Sequence, residues 1–201
     1  MLSPRDVTAV IVTRGDVDLQ PVLDSLIFDK VVIWNNSIRR NEMTYGRVCA
    51  ALMAHTSVVY SQDDDILHTR DAQQALVRSY EPGSMVGCMW PEWSDGARRQ
   101  GIENGYDDLV FPGSGSVTDI VVWTRAIDAY LGHYQRDDFF RLWSDTLIGT
   151  IAPTRQMDMR FSPLPWAEGP TRMAEMPDGV ALKTEAIRRG RAVRETLAVA
   201  A

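Results

Sequence analysis

Three strand-like runs with β-branched apolar cores alternate with helix-patterned segments in the first third of the chain, and no other feature restricts the possible folds as much. Val7 to Thr13 reads VTAVIVT, Lys30 to Asn36 reads KVVIWNN, and Ser57 to Asp65 reads SVVYSQDDD. Strands that face water on one side alternate apolar and polar residues, whereas continuous apolar runs of this length belong to strands covered on both faces. After the first run, DLQPVLDSLIF sets Leu19, Val22, Leu23 and Leu26 at helical spacing, with Asp18 available as a cap and Pro21 tolerable in the first turn. After the second, TYGRVCAALMAH reads as a second helix. This βαβαβ alternation predicts an α/β fold with a mostly parallel sheet and right-handed crossovers.

Sheets of this kind bind ligands beyond the carboxyl ends of their strands. Thr13-Arg14-Gly15, Asn35-Asn36-Ser37 and Asp63-Asp64-Asp65 each follow a predicted strand, so the three polar clusters are expected along one rim. The acid triplet alone is a weak signal. With 27 acids in 201 residues, such a triplet arises by chance in roughly every second chain of this composition. Adjacent carboxylates repel by up to about 4 kcal/mol per pair at 4 Å and an effective dielectric near 20. A divalent cation removes that cost: Mg²⁺ or Mn²⁺ takes one or two carboxylates and completes its shell with water and phosphate oxygens. No GxxxxGK[ST] loop is present and no GxGxxG follows the first strand, which weakens kinase and dinucleotide readings.

Further along, RDAQQALVRSY predicts a helix ended by Glu81-Pro82-Gly83, and SMVGCMW another strand. Residues 91–108 read as an irregular loop. FPGSGSVTDIVVWTRAIDAYL joins a Gly/Ser turn to a strand and then to a helix that Thr124 is placed to cap. DDFFRLWSDTLIGTIAP predicts a helix with Phe139, Phe140, Leu142, Trp143, Leu147 and Ile148 mostly inward; Trp90, Trp93 and Trp166 are candidates for a sugar-stacking platform. Residues 161–179 are proline-rich and read as a wrapping loop, and ALKTEAIRRGRAVRETLAVAA as a last helix or tail. The net charge of −6 argues against an overall basic footprint. Only Arg188, Arg189, Arg191 and Arg194 form a basic run, with Arg98 and Arg99 as a second candidate surface. Two scattered cysteines point to reduced thiols, and the absence of a long apolar run or leader-like start to a cytoplasmic chain, in the host cytoplasm if phage-encoded.

In order and spacing, VTAVIVTRG, VVIWNNS, YGRVCAA and VVYSQDDD resemble the nucleotide half of GT-A-fold glycosyltransferases, and VVIWNN followed by DDDI is especially similar to exostosin-type and family-two enzymes. The resemblance implies a Mn²⁺ or Mg²⁺ cofactor, a UDP-sugar or other nucleotide-sugar donor, and a D-x-D motif on Asp63 and Asp65. Asp63 would then lie near the ribose and Asp65 on the metal, with Thr13, Arg14, Gly15, Asn35, Asn36, Arg47 and Asp64 around the nucleotide sugar. It also implies an acid under the acceptor, for which Asp145 is preferred over Asp138 because the apolar run LIGTI follows it. The family's tail histidine has no counterpart among His55, His68 and His133; Asp178 is the candidate replacement on the metal, and Arg172 and Lys183 the candidate diphosphate contacts. Residues 1–180 would form the catalytic domain, 1–90 its nucleotide half and 91–180 its acceptor half, with 181–201 appended. The acceptor stays open, a hydroxylated base in DNA included. The alternatives are a nucleotidyltransferase, which TRGDVD fits poorly, and a non-catalytic nucleotide-binding or assembly protein.

Overall fold

Six of the seven residues of β1 (Val7–Thr13) are buried, because parallel strands flank it on both sides. The computed structural model describes residues 2–89, 91–99, 105–159, 162–163, 176 and 178–200. On one side β1 pairs with β2 (Lys30–Asn35), in register from Thr8↔Lys30 to Thr13↔Asn35; on the other it pairs with β3 (Val58–Asp63), from Val7↔Val58 to Val12↔Asp63. Beyond β3 lie β6 (Ser116–Asp119), antiparallel to β3, then β5 (Met85–Met89), antiparallel to β6, and finally β7 (Thr154–Asp158), parallel to β5. The order β2-β1-β3-β6-β5-β7 makes a mixed, mostly parallel six-stranded sheet. A separate short ribbon joins β4 (Ile66–Leu67) to β8 (Ser162–Pro163).

The period-2 alternation of strand side chains divides the core into two layers. Val7, Ala9 and Ile11 face one layer with Val22 of α1 (Gln20–Ser25) and with Leu76 and Val77 of α3 (Arg70–Arg78). Val10 and Val59 face the other, with Val48 of α2 (Gly46–Leu52), Trp123 of α5 (Ile120–Leu131) and Phe140, Trp143, Leu147 and Ile148 of α6 (Asp138–Ile151). Ala186 and Val193 of α7 (Gly179–Ala200) are buried in that same layer, so the last helix is a wall of the core.

Four expectations are corrected. The second strand does not lie between two covered faces: β2 is the sheet's edge, half-exposed along most of its length, with Val31 37% exposed. An apolar run reports affinity for the sheet but not whether a neighbour occupies its far side. Within residues 91–108, Pro91–Arg99 forms helix α4, and Ala97 and Tyr106 are buried. Thr124 lies inside α5, its hydroxyl donating to the Val121 carbonyl, and Asp119 occupies the N-cap. The first helix starts at Gln20, after an Asx turn in which the Gln20 amide donates to Asp18 Oδ1 at 2.9 Å. Most of the proline-rich segment, with Trp166, lies outside the described residues, as does Trp90.

Two glycines set helix spacing. A Cβ on Gly149 would stand 2.2 Å from the Val110 carbonyl oxygen, and one on Gly190 2.6 Å from Thr150 Cβ. The first contact is with backbone, which cannot rotate away. Gly149→Ala is therefore expected to lower stability by about 1–3 kcal/mol in denaturant unfolding. Gly96→Ala on α4, where the nearest heavy atom is 3.9 Å away, should be neutral or gain up to about 1 kcal/mol from helix propensity.

Candidate functional site

Gly46 opens α2 directly under β2, where a Cβ would stand 2.5 Å from Trp34 Cδ1, and the close approach directs the next side chain inward. Arg47 is 1% exposed. Its Nε donates to Asp145 Oδ2 at 3.1 Å, Nη1 to Ser61 Oγ at 3.0 Å and to the Gln62 carbonyl at 2.9 Å, and Nη2 to Asp63 Oδ1. Burial opposes the charge, but Asp145 and Asp63 more than offset it and hold the guanidinium protonated. One side chain thus joins the start of α2, the end of β3 and the middle of α6.

The acid triplet turns tightly because Gln62 spans it, its Nε2 donating to the Ile66 carbonyl at 2.8 Å. Asp63 packs under the turn 112–115, so closely that a Cβ on Gly113 would lie 2.4 Å from its Oδ1. Asp64 is raised above the ordinary carboxylate range by burial, against a hydrogen bond from Thr13 and with the charge of Asp63 adding to the rise. Its Oδ2 is buried without a hydrogen-bond partner. Asp65 is pushed up to about 7 by burial and then by Asp63 and Asp64, with Arg14 opposing.

Asp145 owes its position to a kink. At Trp143 the α6 backbone leaves helical angles (φ −111°, ψ 15°), and the Thr44 hydroxyl bonds the Arg141 and Leu142 carbonyls at 3.1 and 2.9 Å and Ser144 Oγ at 2.8 Å. A side chain inserted into the helical ladder is a recognised cause of such a kink. Asp145 is 8% exposed; burial pushes it up to about 6, with Arg47 opposing and Asp63 adding. Its Oδ1 is buried and unpartnered. Lys183, on α7, has its Nζ 4.5 Å from the ring centroids of both Tyr106 and Phe111. Burial lowers it to about 8, against the pull of Asp63.

Of the predicted residues, Arg47, Asp63, Asp145 and Lys183 form this centre, and Thr13, Arg14, Asp64 and Asp65 adjoin it. Thr13 Oγ1 accepts from the Gly15 amide at 2.9 Å; Gly15 has φ +80° and a Cβ there would lie 2.5 Å from Ser37 Oγ, which ties the first two strand ends together. Arg14 pairs with Asp16 at 3.1 Å. Asn35 Oδ1 accepts from the Ser37 amide and hydroxyl, and Asn36 bonds Trp34, Glu42 and Met43. Both amides therefore hold the loop following β2. Asp138 stands apart, exposed in the first turn of α6 and paired with Arg141. Asp178 is exposed at φ +60°, just ahead of α7. Arg172 lies outside the described residues. Sequence reasoning missed Thr44, Ser61, Tyr106 and Phe111. None carries a motif, and only GSGS, as a close-approach turn, pointed to Gly113.

No protein-family model matches the chain, and no curated protein matches it. Among solved structures it is similar to the mannosyltransferase PcManGT from Pyrobaculum calidifontis in complex with GDP-Man and Mn²⁺. The identity is 12%, over 100% of this chain and 78% of that one, with a TM-score of 0.44.

Among the described residues no three His, Cys, Asp or Glu side chains converge to hold a metal by themselves. The Asp63–Asp65–Asp178 set is not assembled. Charge nevertheless fits a divalent ion. Four carboxylates (Asp63, Asp64, Asp65, Asp145) face two cations (Arg47, Lys183), and the adjoining Arg14–Asp16 pair adds one charge of each sign, which leaves a deficit of two charges when all are ionised. Asp63 and Asp65 would hold Mg²⁺ or Mn²⁺, with water and phosphate oxygens supplying the remaining ligands. The arginine run is spent on internal pairs: Arg188 and Arg189 on Glu185, Arg191 and Arg194 on Asp108.

Removing one member of a buried ion pair costs about 3–5 kcal/mol, so Arg47→Met should unfold at much lower urea, and Arg47→Lys, without the planar fork, should recover less than half of the loss. Asp65 and Asp145 have raised folded-state values, so the folded chain binds the extra protons and stability falls as pH rises from about 4 to 7. Asp65→Asn should flatten that slope and stabilise the metal-free protein at pH 8 by about 1–2 kcal/mol after solvent screening, measured by thermal unfolding across pH.

Proposed function

We propose that the chain is a divalent-cation-assisted glycosyltransferase that moves a sugar from a nucleoside diphosphate donor to an acceptor hydroxyl. The observation that carries the reading is the buried Arg47, which joins the strand-end acid Asp63 to Asp145. An acid cluster with a two-charge deficit at the carboxyl end of parallel strands suits a diphosphate bound through a cation. When bound, the cation supplies Lewis-acid stabilisation of charge on the departing diphosphate.

The chain's own residues do the rest. Lys183, lowered to about 8 by burial, remains protonated near neutrality and offers positive charge to the diphosphate as it departs. Thr13 and Arg14 border the donor, and the turn 112–115 keeps Asp63 against Arg47. Asp145 is assigned to the acceptor. Its carboxylate takes the hydroxyl proton while the acceptor oxygen bonds the anomeric carbon and the sugar–phosphate bond breaks, its electron pair leaving with the nucleoside diphosphate. A carboxylate at about 6 is both ionised at neutral pH and basic enough to help, as general-base catalysis requires. With the arginine run internally paired, a small hydroxylated acceptor is favoured over DNA.

The test is thermal unfolding with UDP, GDP, CDP and ADP, each with Mn²⁺, Mg²⁺ or chelator. Ligand at 100 times its Kd adds about 2.7 kcal/mol, roughly 5–10 °C for this size. The expected result is a shift with UDP that chelator and Asp65→Ala abolish; no shift with any nucleotide rejects the reading. In turnover assays with the donor so found, Asp145→Asn should lose about 10²–10⁴-fold in kcat and the limb of the pH profile near 6. Loss of nucleotide affinity with that limb intact would make Asp145 a positioning residue for Arg47.

A further inference from the structure

A cleft of about 330 Å³ lies beside the first turn of α6, lined by Arg40, Glu42, Arg136, Asp138 and Arg141. Three guanidiniums meet two carboxylates there, and their pairing is uneven. Arg40 Nε holds Glu42 Oε1 at 2.8 Å, while Arg141 pairs with Asp138. Arg136 has no carboxylate partner among the described residues; its guanidinium lies 4.6 Å over the Tyr45 ring. That stacking fixes its plane and leaves its N–H edge free. Glu42 is 5% exposed, and its Oε2 is buried without a hydrogen bond, the nearest Arg141 nitrogen being 3.8 Å away. That separation exceeds hydrogen-bond reach.

The cleft therefore holds one open fork and one buried acceptor that lacks a donor. A planar guanidinium suits the two oxygens of a carboxylate or phosphate, and a buried carboxylate oxygen left unpaired is costly until a donor reaches it. The walls belong to the segments that carry the reaction centre. Glu42 lies five residues before Arg47, and Arg141 four before Asp145 across the kink at Trp143, with Thr44 clamping the two segments together.

We infer that this cleft binds a small molecule carrying a phosphate or carboxylate with a hydroxyl beside it, the anion on Arg136 and the hydroxyl donating to Glu42 once that side chain turns Oε2 toward the cleft. Resting on the glycosyl-transfer reading, the bound molecule is the acceptor, held by its charged end beside Asp145.

Isothermal titration at low salt with inorganic phosphate, glucose 6-phosphate and glucuronate tests the assignment, and the two sugars separate a phosphate from a carboxylate preference. Saturable binding by at least one sugar is expected, tighter than inorganic phosphate, at least 10-fold weaker in Arg136→Gln, intermediate in Arg136→Lys and unchanged in Lys183→Met. Arg136 is exposed, and both variants should keep the parent's nucleotide-dependent thermal shift. No saturable binding by any probe, or equal affinity in Arg136→Gln, overturns the inference, and loss in Lys183→Met but not Arg136→Gln overturns it by moving the anion to the donor site. Arg136-dependent binding without any nucleotide shift upholds the cleft and removes only its role as acceptor site.

Discussion

The buried guanidinium of Arg47 is the constraint on which the centre of the molecule depends. Desolvating a cation is expensive, and so is desolvating the two carboxylates beside it; the arrangement is tolerable only because each partner removes the other's cost and the remaining N–H groups meet Ser61 and the Gln62 carbonyl. Arginine suits the task because its fork is planar and always charged, so it can serve partners in three directions at once. A lysine would supply one point of charge and leave at least one carboxylate buried without a match.

Small features elsewhere follow from this contact. Gly46 lets α2 begin close enough to β2 for Arg47 to reach inward, and Gly113 lets a turn descend onto Asp63. Thr44 and the irregular Trp143 bend α6 so that Asp145 meets Arg47 instead of continuing along a straight helix. His68 supports the same turn: its Nε2 lies 3.0 Å from the Ser114 carbonyl, and burial lowers it to about 4, which keeps the ring neutral. The acids are thus held in low-polarity surroundings from which they gain basicity, while Lys183 loses some of its own.

The sheet and the position of the acids were legible in the sequence because both rest on local pattern. Val7 to Thr13 is apolar enough to specify a strand covered on two faces, and Asp63 must follow wherever Val58 to Gln62 lies. The preference for Asp145 over Asp138 rested on a resemblance; Asp138 is solvated and paired with its own helix neighbour, whereas Asp145 is buried against Arg47. What could not be read was pairing across long separations. The edge position of β2, the capture of Asn35 and Asn36 by their own loop, and the intervention of Thr44 in α6 depend on three-dimensional neighbours that no window of sequence contains. Helix α4 was missed because Gly96 and the flanking polar residues weaken the apolar period that marks a helix.

Arg47 and Asp145 are 98 residues apart along the chain, and Lys183 lies still farther from Asp63. Contacts of such separation are among the last to be rewarded during folding, because the entropy of closing the intervening loops is spent before they form. The centre therefore has no partial version: the sheet can pair locally, but acids, guanidinium and amine converge only when the topology has closed. Until that moment the four carboxylates stay hydrated and near their ordinary acidity, so the chain acquires its perturbed proton affinities as a late event in its own folding.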